Sequence, residues 1–250
     1  MAVKRQPKAR NVTKKTPARE HDVKDVLQEL KKRAKKQTKD GMARYAIPSD
    51  KAFGVPVGLI KQLGKRLGHS HALAAALWKT GHYEARMLAT FVDEAELVTP
   101  QQMDQWCKDF DNWAICDTAC FALFDRTPHA FKKVAQWAKS QDEFVKRAAF
   151  ALLASLTVHD KLATEPAFVR CLPLVEKAAF DERNFVKKSV NWALRSVGKR
   201  SQALNQAAIE VAERLAAQAE AAPRWVGKDA LRELKSPAVQ KRLTKPTKTK

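Results

Sequence analysis

Apolar residues recur at helical spacing through most of the chain. A helix is predicted from His21 to Lys39, with one lysine-rich face. Its opposite face carries apolar residues three and four positions apart, Val23, Val26, Leu27 and Leu30. Only 8 of the 250 residues are Gly, helix formers dominate, and no stretch shows sustained period-two alternation between hairpin signals. The pattern predicts an all-α protein.

Glycine and proline predict where the helices begin and end. Gly41 is expected to supply a left-handed C-cap, and the prolines of Tyr45–Pro56 make that stretch a connector. The other predicted helices outside the repeated segments described next are Val57–Leu67, His71–Thr80, Pro100–Phe110, Pro128–Lys139, Glu165–Ala179, Gln202–Ala221 and a closing helix at Pro223–Leu234.

One helical segment recurs four times. Each copy opens with an aromatic residue and continues as a helix rich in Ala or Leu, and the openings at Tyr83, Trp113, Phe144 and Phe185 are 30, 31 and 41 residues apart. With further helices between them, this period is typical of an α-solenoid of the HEAT type. We therefore predict a right-handed α-solenoid, or superhelix, of HEAT-like helical repeats over residues 20–240.

The repeat register places side chains side by side on the inner surface of such a solenoid. One predicted row contains Arg86, Cys116, Arg147 and Lys188, and the next contains Met87, Asp117, Ala148 and Ser189. Trp192 falls on the same helix face as Lys188. Two tryptophans, one carboxylate and a row of cations are thus expected to converge on one concave surface.

Asp117 is the unusual residue in this register, because it interrupts the apolar run from Asn112 to Phe124. Its helical stripe contains Trp113, Asp117, Cys120 and Phe124. Asp disfavours helix interiors, and burying its charge without a partner costs several kcal/mol. Asp117 is either exposed, or paired with Lys or Arg of a neighbouring helix, or a carboxylate at the edge of a binding groove beside an aromatic plate.

The neighbouring residues leave similar alternatives open. Arg147, beside Lys146, either faces water, contacts a phosphate or forms an ion pair with Asp117. Trp192 is either a core residue or a groove residue. The remaining tryptophans considered, Trp78, Trp106 and Trp137, are expected in the core or between helices.

The charge points to a polyanionic partner. The formal net charge is +20, from 47 Lys and Arg against 27 Asp and Glu, and nucleic acid is the usual partner of such a chain. Residues 1–19 hold seven of these cations and no acid, and residues 241–250 hold five and no acid. Both segments are predicted to be disordered basic tails that either solubilise the protein or attract phosphate.

Membrane association and metal binding are not expected. No run of 18 apolar residues occurs, and the N-terminus lacks the apolar core of a signal peptide, so we expect a soluble, cytoplasmic protein, and we expect it to be monomeric. Cys116 and Cys120 have a spacing that can bind metal, but no His lies near them in sequence. Together with Cys107 and Cys171 they are predicted to be buried free thiols.

Several motifs resemble the HEAT-like-repeat DNA alkylation repair family, the AlkD-type DNA glycosylases. They occur in the family's order over roughly residues 42–243. The motifs are Tyr45–Lys51, Glu84–Arg86, Trp113 with Asp117, Val145–Phe150, Asn191–Arg195 and Trp225–Leu234.

The resemblance implies a function and a site. It implies a curved superhelix that holds duplex DNA and removes positively charged N3- or N7-alkylated purines without a cofactor. Asp117 corresponds to the catalytic carboxylate, Trp113 and Trp192 to groove tryptophans that contact the lesion and sugar, and Arg147 to a groove arginine. The expected DNA-backbone ligands are Arg86, Arg147 and Lys188 of the repeat row, together with Lys146 beside Arg147.

The chain departs from the family's pattern at Ala114, where some members carry an acidic residue. Two other functions therefore stay open: a noncatalytic HEAT-repeat protein that binds nucleic acid, and a HEAT scaffold for acidic protein partners.

Overall fold

The computed structural model describes residues 22–244, which contain α-helices and two short 3-10 helices and no strand. The α-helices are α1 (Val23–Lys32), α2 (Lys36–Gly41), α3 (Val57–Leu67), α4 (His71–Lys79), α5 (Tyr83–Val92), α6 (Pro100–Lys108), α7 (Trp113–Ala122), α8 (Ala130–Trp137), α9 (Glu143–His159), α10 (Glu165–Val169), α11 (Leu172–Ala178), α12 (Asn184–Gly198), α13 (Gln202–Ala216), α14 (Ala221–Leu234) and α15 (Pro237–Leu243). The 3-10 helices are Met42–Tyr45 and Phe124–Arg126.

Polar side chains fix where several helices begin. The hydroxyl of Ser70, the hydroxyl of Thr99 and the amide oxygen of Asn112 each accept a backbone N–H three residues ahead, at the starts of α4, α6 and α7. Ser201 does the same for α13. Each cap satisfies a backbone donor that has no partner within its own helix.

Five helices form one continuous row through the molecule. Helix α5 packs against α7, α7 against α9, α9 against α12, and α12 against α14. We call these five helices the inner row. A second set flanks it, with α4 on α5, α8 on α9, α11 on α12 and α13 on α14. The four aromatic residues of the sequence repeat lie at or one residue after the first residues of α5, α7, α9 and α12, as the repeat predicts.

Aromatic residues fill the space between the flanking helices. Trp78 of α4 stacks on Trp106 of α6, with ring centroids 4.0 Å apart and an interplanar angle of 2°. Phe124 contacts the rings of both Trp106 and Trp137. The three tryptophans are buried, which confirms their predicted packing role. Burial of such large apolar surfaces is a main source of stability in this fold.

The connector after α2 is held by a buried carboxylate. Glu84 of α5 is fully buried, and its oxygens accept the backbone N–H groups of Phe53 (2.9 Å), Gly54 (2.6 Å) and Val55 (3.0 Å). These bonds satisfy the connector's donors and offset the cost of burying the charge. The connector is thereby fixed against the inner row.

Several predicted boundaries are wrong. The single helix expected from 21 to 39 is two helices, because the backbone N–H of Lys35 bonds to Gly54 O of the connector and α2 starts afresh at residue 36. Gly41 is right-handed with φ −75°, and the left-handed residue is Ala46 with φ 52°. The helix expected over 165–179 is also divided, because Pro173 lacks the N–H that a continuous helix needs.

The C-terminal boundary also differs. Residues 241–243 belong to α15, whose start is capped by Ser236 and whose Val239 is buried, rather than to a tail. The predicted tail at residues 1–19 and the rest of the predicted C-terminal tail, residues 245–250, lie outside the described residues.

Candidate nucleic-acid interface and active site

Helix α7 presents one half-buried face to the surface. Asp117, Thr118 and Phe121 lie on that face, whereas Cys120 is fully buried. The predicted stripe is therefore wrong at its C-terminal end. Helix α7 stops at Ala122, and Phe124 turns into the core from the following 3-10 helix. Phe121, rather than Phe124, is the aromatic neighbour of Asp117 on the surface.

Asp117 is paired with Arg147 of α9 in a bidentate geometry. Arg147 Nε donates to Asp117 Oδ1 at 2.9 Å, and Nη2 donates to Oδ2 at 2.7 Å. The third guanidinium nitrogen, Nη1, donates to the Phe185 carbonyl oxygen at 2.9 Å. The Asp117 side chain keeps 20% of its surface exposed, against 8% for Arg147. Of the alternatives that the sequence left open, the structure shows the ion pair.

Burial and pairing act in opposite directions on the two charges. Burial raises the pKa of the Asp117 carboxyl above its ordinary value, and the hydrogen bond and charge of Arg147 offset this only in part. Burial works to lower the pKa of the Arg147 guanidinium, but the hydrogen bond and charge of Asp117 raise it overall. The guanidinium is protonated at neutral pH and favours the ionised form of the Asp117 carboxyl.

A cavity of about 610 Å³, here called the Asp117 hollow, opens beside this pair. The residues that define it are Lys61, Asp117, Phe121, Arg126, His159 and Trp192. They come from α3, α7, the 3-10 helix after α7, and the ends or faces of α9 and α12. The hollow therefore lies against α7, α9 and α12 of the inner row, and it contains one carboxylate, aromatic surfaces and exposed cations.

Trp192 is one of the aromatic surfaces. Its ring stacks on Phe121, with centroids 5.1 Å apart and an interplanar angle of 4°. The tryptophan is half-buried and packs against the core. The structure thus places Trp192 in the same hollow as Asp117, as the register predicts.

Trp113 lies in a different cavity, of about 440 Å³, here called the Trp113 hollow. The residues that define it are Arg44, Tyr45, Trp113, Arg147, Phe185 and Lys188. The indole Nε1 of Trp113 donates to Tyr45 O at 2.8 Å, which ties α7 to the connector. Trp113 and Trp192 therefore line two different cavities, and Asp117 shares one of them with Trp192. The Asp117–Arg147 pair lies between the two hollows, with one partner lining each.

Three of the four predicted phosphate ligands are already engaged by the protein. Arg147 is bound to Asp117, and Lys146 is bound to Asp181 at 2.9 Å. Arg86 donates to Asp109 O at 3.0 Å and lies over the ring of Trp78. Acidic residues of other segments thus reach Arg86 and Arg147 of the predicted row and Lys146 beside it.

Lys188 is the member of that row whose amine is exposed, and residues 22–244 offer it no ion-pair partner. The sequence analysis missed two further exposed cations, Lys61 and Arg126, which line the Asp117 hollow. It also missed His159. These three residues lie outside the repeated helix starts, so the register gave no signal for them.

The cysteines lie in the core. All four are free and buried, as predicted. Cys116 Sγ donates to Phe144 O and Cys120 Sγ to Ala148 O, so both thiols join α7 to α9. Burial raises the pKa of the Cys107 and Cys120 thiols well above the ordinary value. They are protonated at neutral pH and serve packing rather than metal binding or nucleophilic attack.

Within residues 22–244, no group of three or more His, Cys, Asp or Glu side chains is arranged to hold a metal ion. In the same residues, no helix combines the length and apolarity needed to cross a membrane.

The chain resembles known proteins in sequence and in fold. The family model of the DNA alkylation repair enzymes matches residues 26–234. The chain belongs to this family. The match to DNA alkylation repair enzymes includes the whole inner row and both hollows, and it confirms the family to which the sequence motifs pointed.

One solved structure has a fold similar to that of this chain. It is described as a new family of proteins related to the HEAT-like repeat DNA glycosylases with affinity for branched DNA structures. The match covers 89% of this chain and 96% of that chain, with 21% sequence identity and a TM-score of 0.72. At this identity the likeness shows the fold, and it confirms a HEAT-like array. Among curated proteins, no match to the sequence is found.

Proposed function

We propose that the protein is a DNA glycosylase that releases positively charged N3- or N7-alkylated purines from duplex DNA. The observation that carries the proposal is the position of the Asp117 carboxyl group, which is held in place by Arg147 and faces the same hollow as the Trp192 ring. Membership of the DNA alkylation repair family supports it. No cofactor is needed for this chemistry.

The proposed reaction matches the charge of the site. A purine alkylated at N3 or N7 is a cation and leaves as a neutral base, so no strong acid is required. The sugar that remains develops positive charge at its anomeric carbon. A fixed carboxylate stabilises that charge in the transition state, and Asp117 is rigid because Arg147 binds both of its oxygens.

The aromatic surfaces of the Asp117 hollow suit a cationic lesion. A cation over an indole face gains roughly 0.5 to 2 kcal/mol, depending on how far it is desolvated. The Trp192 ring, backed by Phe121 at 5.1 Å, supplies such a face. Trp113 is bound to the connector and lines the adjacent hollow, where it would contact the neighbouring sugar or backbone.

Exposed cations around the hollows would bind the DNA backbone. Lys61 and Arg126 flank Asp117, and Lys188 flanks Trp113. Phosphate contacts of this kind position the duplex without reading its sequence. The formal charge of +20 favours the same partner.

Substitution of Asp117 tests the proposal. In Asp117→Asn, release of 7-methylguanine or 3-methyladenine from methylated duplex DNA should fall by at least about a hundredfold, because the charge that stabilises the sugar is lost. DNA affinity should change little. Asp104→Asn is the matched control, because Asp104 is ion-paired with Lys133 outside both hollows. Unchanged release by Asp117→Asn would rule out the assigned role.

A second candidate function is DNA binding without chemistry. Arg147 offsets the charge of Asp117, and the solved structure of the same fold is described as having affinity for branched DNA. In this case wild-type protein would release no methylated base. It would bind a four-way DNA junction more tightly than a linear duplex of equal length. Base release and junction affinity, measured on the same preparation, separate the two functions.

A further inference from the structure

A second acid–base pair adjoins the Asp117 hollow. Asp125 lies in the 3-10 helix after α7, and its side chain is fully buried. Its Oδ2 accepts a hydrogen bond from Ser155 Oγ and another from His159 Nδ1, the latter at 2.5 Å. The proposed function gives none of these residues a role.

The carboxylate determines which ring nitrogen of His159 is free. Asp125 Oδ1 is buried without a hydrogen-bond partner, and among residues 22–244 the ion-pair partner of Asp125 is His159. With Asp125 as the carboxylate acceptor, the 2.5 Å contact places a proton on His159 Nδ1. The neutral imidazole then carries its lone pair on Nε2, where it can accept a proton.

His159 faces the hollow that contains Asp117. It is the last residue of α9, its side chain is 42% exposed, and it lines the cavity together with Asp117 and Trp192. Its ring meets the Phe121 ring edge-on, with centroids 5.6 Å apart and an interplanar angle of 79°. Phe121 thus contacts both the imidazole and the Trp192 indole.

The reaction includes a step in which His159 can take part. Hydrolysis removes a proton from the attacking water. Both oxygens of Asp117 accept hydrogen bonds from Arg147, an arrangement that suits a carboxylate that stabilises the developing cation. His159 offers the proton a second acceptor in the same hollow, so that the charge of Asp117 is kept.

We propose that His159 is the general base of the reaction and that Asp125 positions it, an inference that rests on the proposed glycosylase function. The water oxygen bonds to the anomeric carbon, and its proton passes to His159 Nε2. The N-glycosidic bond breaks, and its electron pair stays on the purine, which leaves neutral. Asp125 stabilises the imidazolium, and the proton then passes to solvent.

Other charged groups near His159 do not provide this function. Lys61 and Arg126 line the same hollow as cations. Asp160, the next residue, accepts backbone N–H groups of Leu162 and Ala163. Arg200 donates to the carbonyl oxygens of Thr157, Asp160 and Ala163 at the end of α9.

The decisive variant is His159→Asn. The Asn amide can still donate to Asp125 but cannot accept a proton at neutral pH. Single-turnover release of 7-methylguanine from methylated duplex DNA, measured from about pH 5 to 9, should fall about a hundredfold near neutral pH. Over this range the wild-type rate should depend on one more proton equilibrium than the His159→Asn rate does. His159→Gln, which cannot place a donor as close to Asp125, is the second variant if His159→Asn fails to fold.

The control is His71→Gln. His71 Nδ1 lies 2.6 Å from Asp93 Oδ1, so it forms a similar pair, but it lies outside the hollow. Its substitution should leave both the rate and the pH profile unchanged. Duplex affinity and the midpoint of thermal unfolding should be measured for every variant, because a purely structural His159 would change stability but not the pH profile.

Three outcomes would refute the role of His159, and the first of them would also refute the glycosylase function. Wild-type protein that releases no base would refute the glycosylase function and this role with it. An active wild type together with a His159→Asn rate and profile equal to it would refute the role of His159 alone. A slower His159→Asn whose rate keeps the pH dependence of the wild type would also refute proton transfer to His159.

Discussion

Arg147 engages all three of its guanidinium nitrogens inside the protein, two with Asp117 and one with the Phe185 carbonyl. A planar guanidinium that binds both oxygens of a carboxylate fixes the orientation of that carboxylate. The arrangement assigns Arg147 to positioning of Asp117 rather than to direct contact with a phosphate.

Arg147→Ala should therefore impair catalysis and stability more than DNA binding. It leaves the Asp117 carboxylate without its cation, and breaking a buried pair on one side costs about 3 kcal/mol. Base release should fall at least about a hundredfold, and Arg147→Lys should recover only part of it because Lys cannot bind both oxygens. The salt dependence of duplex affinity should be unchanged. A shallower salt dependence would show that Arg147 contacts a phosphate after all.

The pH dependence of Asp117 can be predicted from the direction of its pKa. Burial raises that pKa, only partly opposed by Arg147, and the ionised form is the one that stabilises the sugar cation. Activity should therefore be present above the raised pKa and be lost as the pH falls through it. The loss should begin above about pH 4, the ordinary range of Asp. The pH profile of His159→Asn separates this loss of activity from any effect of His159. A His159→Asn rate that stays constant down to about pH 4 would contradict the prediction.

The repeat spacing was sufficient to predict four of the five helices of the inner row. Helices of α-solenoids start at regular intervals because each must bury an apolar face on its neighbour, and the aromatic openings at Tyr83, Trp113, Phe144 and Phe185 mark those starts. The same spacing placed Asp117 on the surface of that row. Whether a residue is buried or exposed depends here on its position along a single helix, and the sequence shows that position directly.

Contacts between helices could not be predicted in this way. The register put Arg86 in a row of cations, and Lys146 was a further expected phosphate ligand, but their partners Asp109 and Asp181 come from loops that the register does not describe. The register also did not show that Trp113 and Trp192 line different hollows, with Trp113 hydrogen-bonded to the connector. Such pairings depend on helix rotation and loop paths, which a spacing of residues does not determine.

The salt dependence of DNA binding should identify the phosphate ligands. A variant that neutralises one phosphate fewer should show a slope of log affinity against log salt that is shallower by about 0.9. Lys61→Ala, Arg126→Ala and Lys188→Ala should each show this change, because these cations are exposed in the two hollows. Lys146→Ala is the matched comparison and should not, because its charge is bound by Asp181. An unchanged slope in all three variants would place the duplex on another surface.

The closing pair of helices depends on the absence of a side chain at Gly227. A Cβ at this position of α14 would lie 2.5 Å from the Ala212 carbonyl oxygen and still closer to the Ala216 amide nitrogen. Both atoms belong to the backbone of α13, which cannot move aside without breaking its helical hydrogen bonds. Gly227→Ala should therefore push α13 and α14 apart and cost about 3 kcal/mol, or about 10 °C in the midpoint of thermal unfolding. Gly58→Ala is the control, because a Cβ there meets nothing within 4 Å and helix α3 should gain up to about 1 kcal/mol. Equal midpoints for the two variants would show that α13 and α14 separate at no cost to the fold.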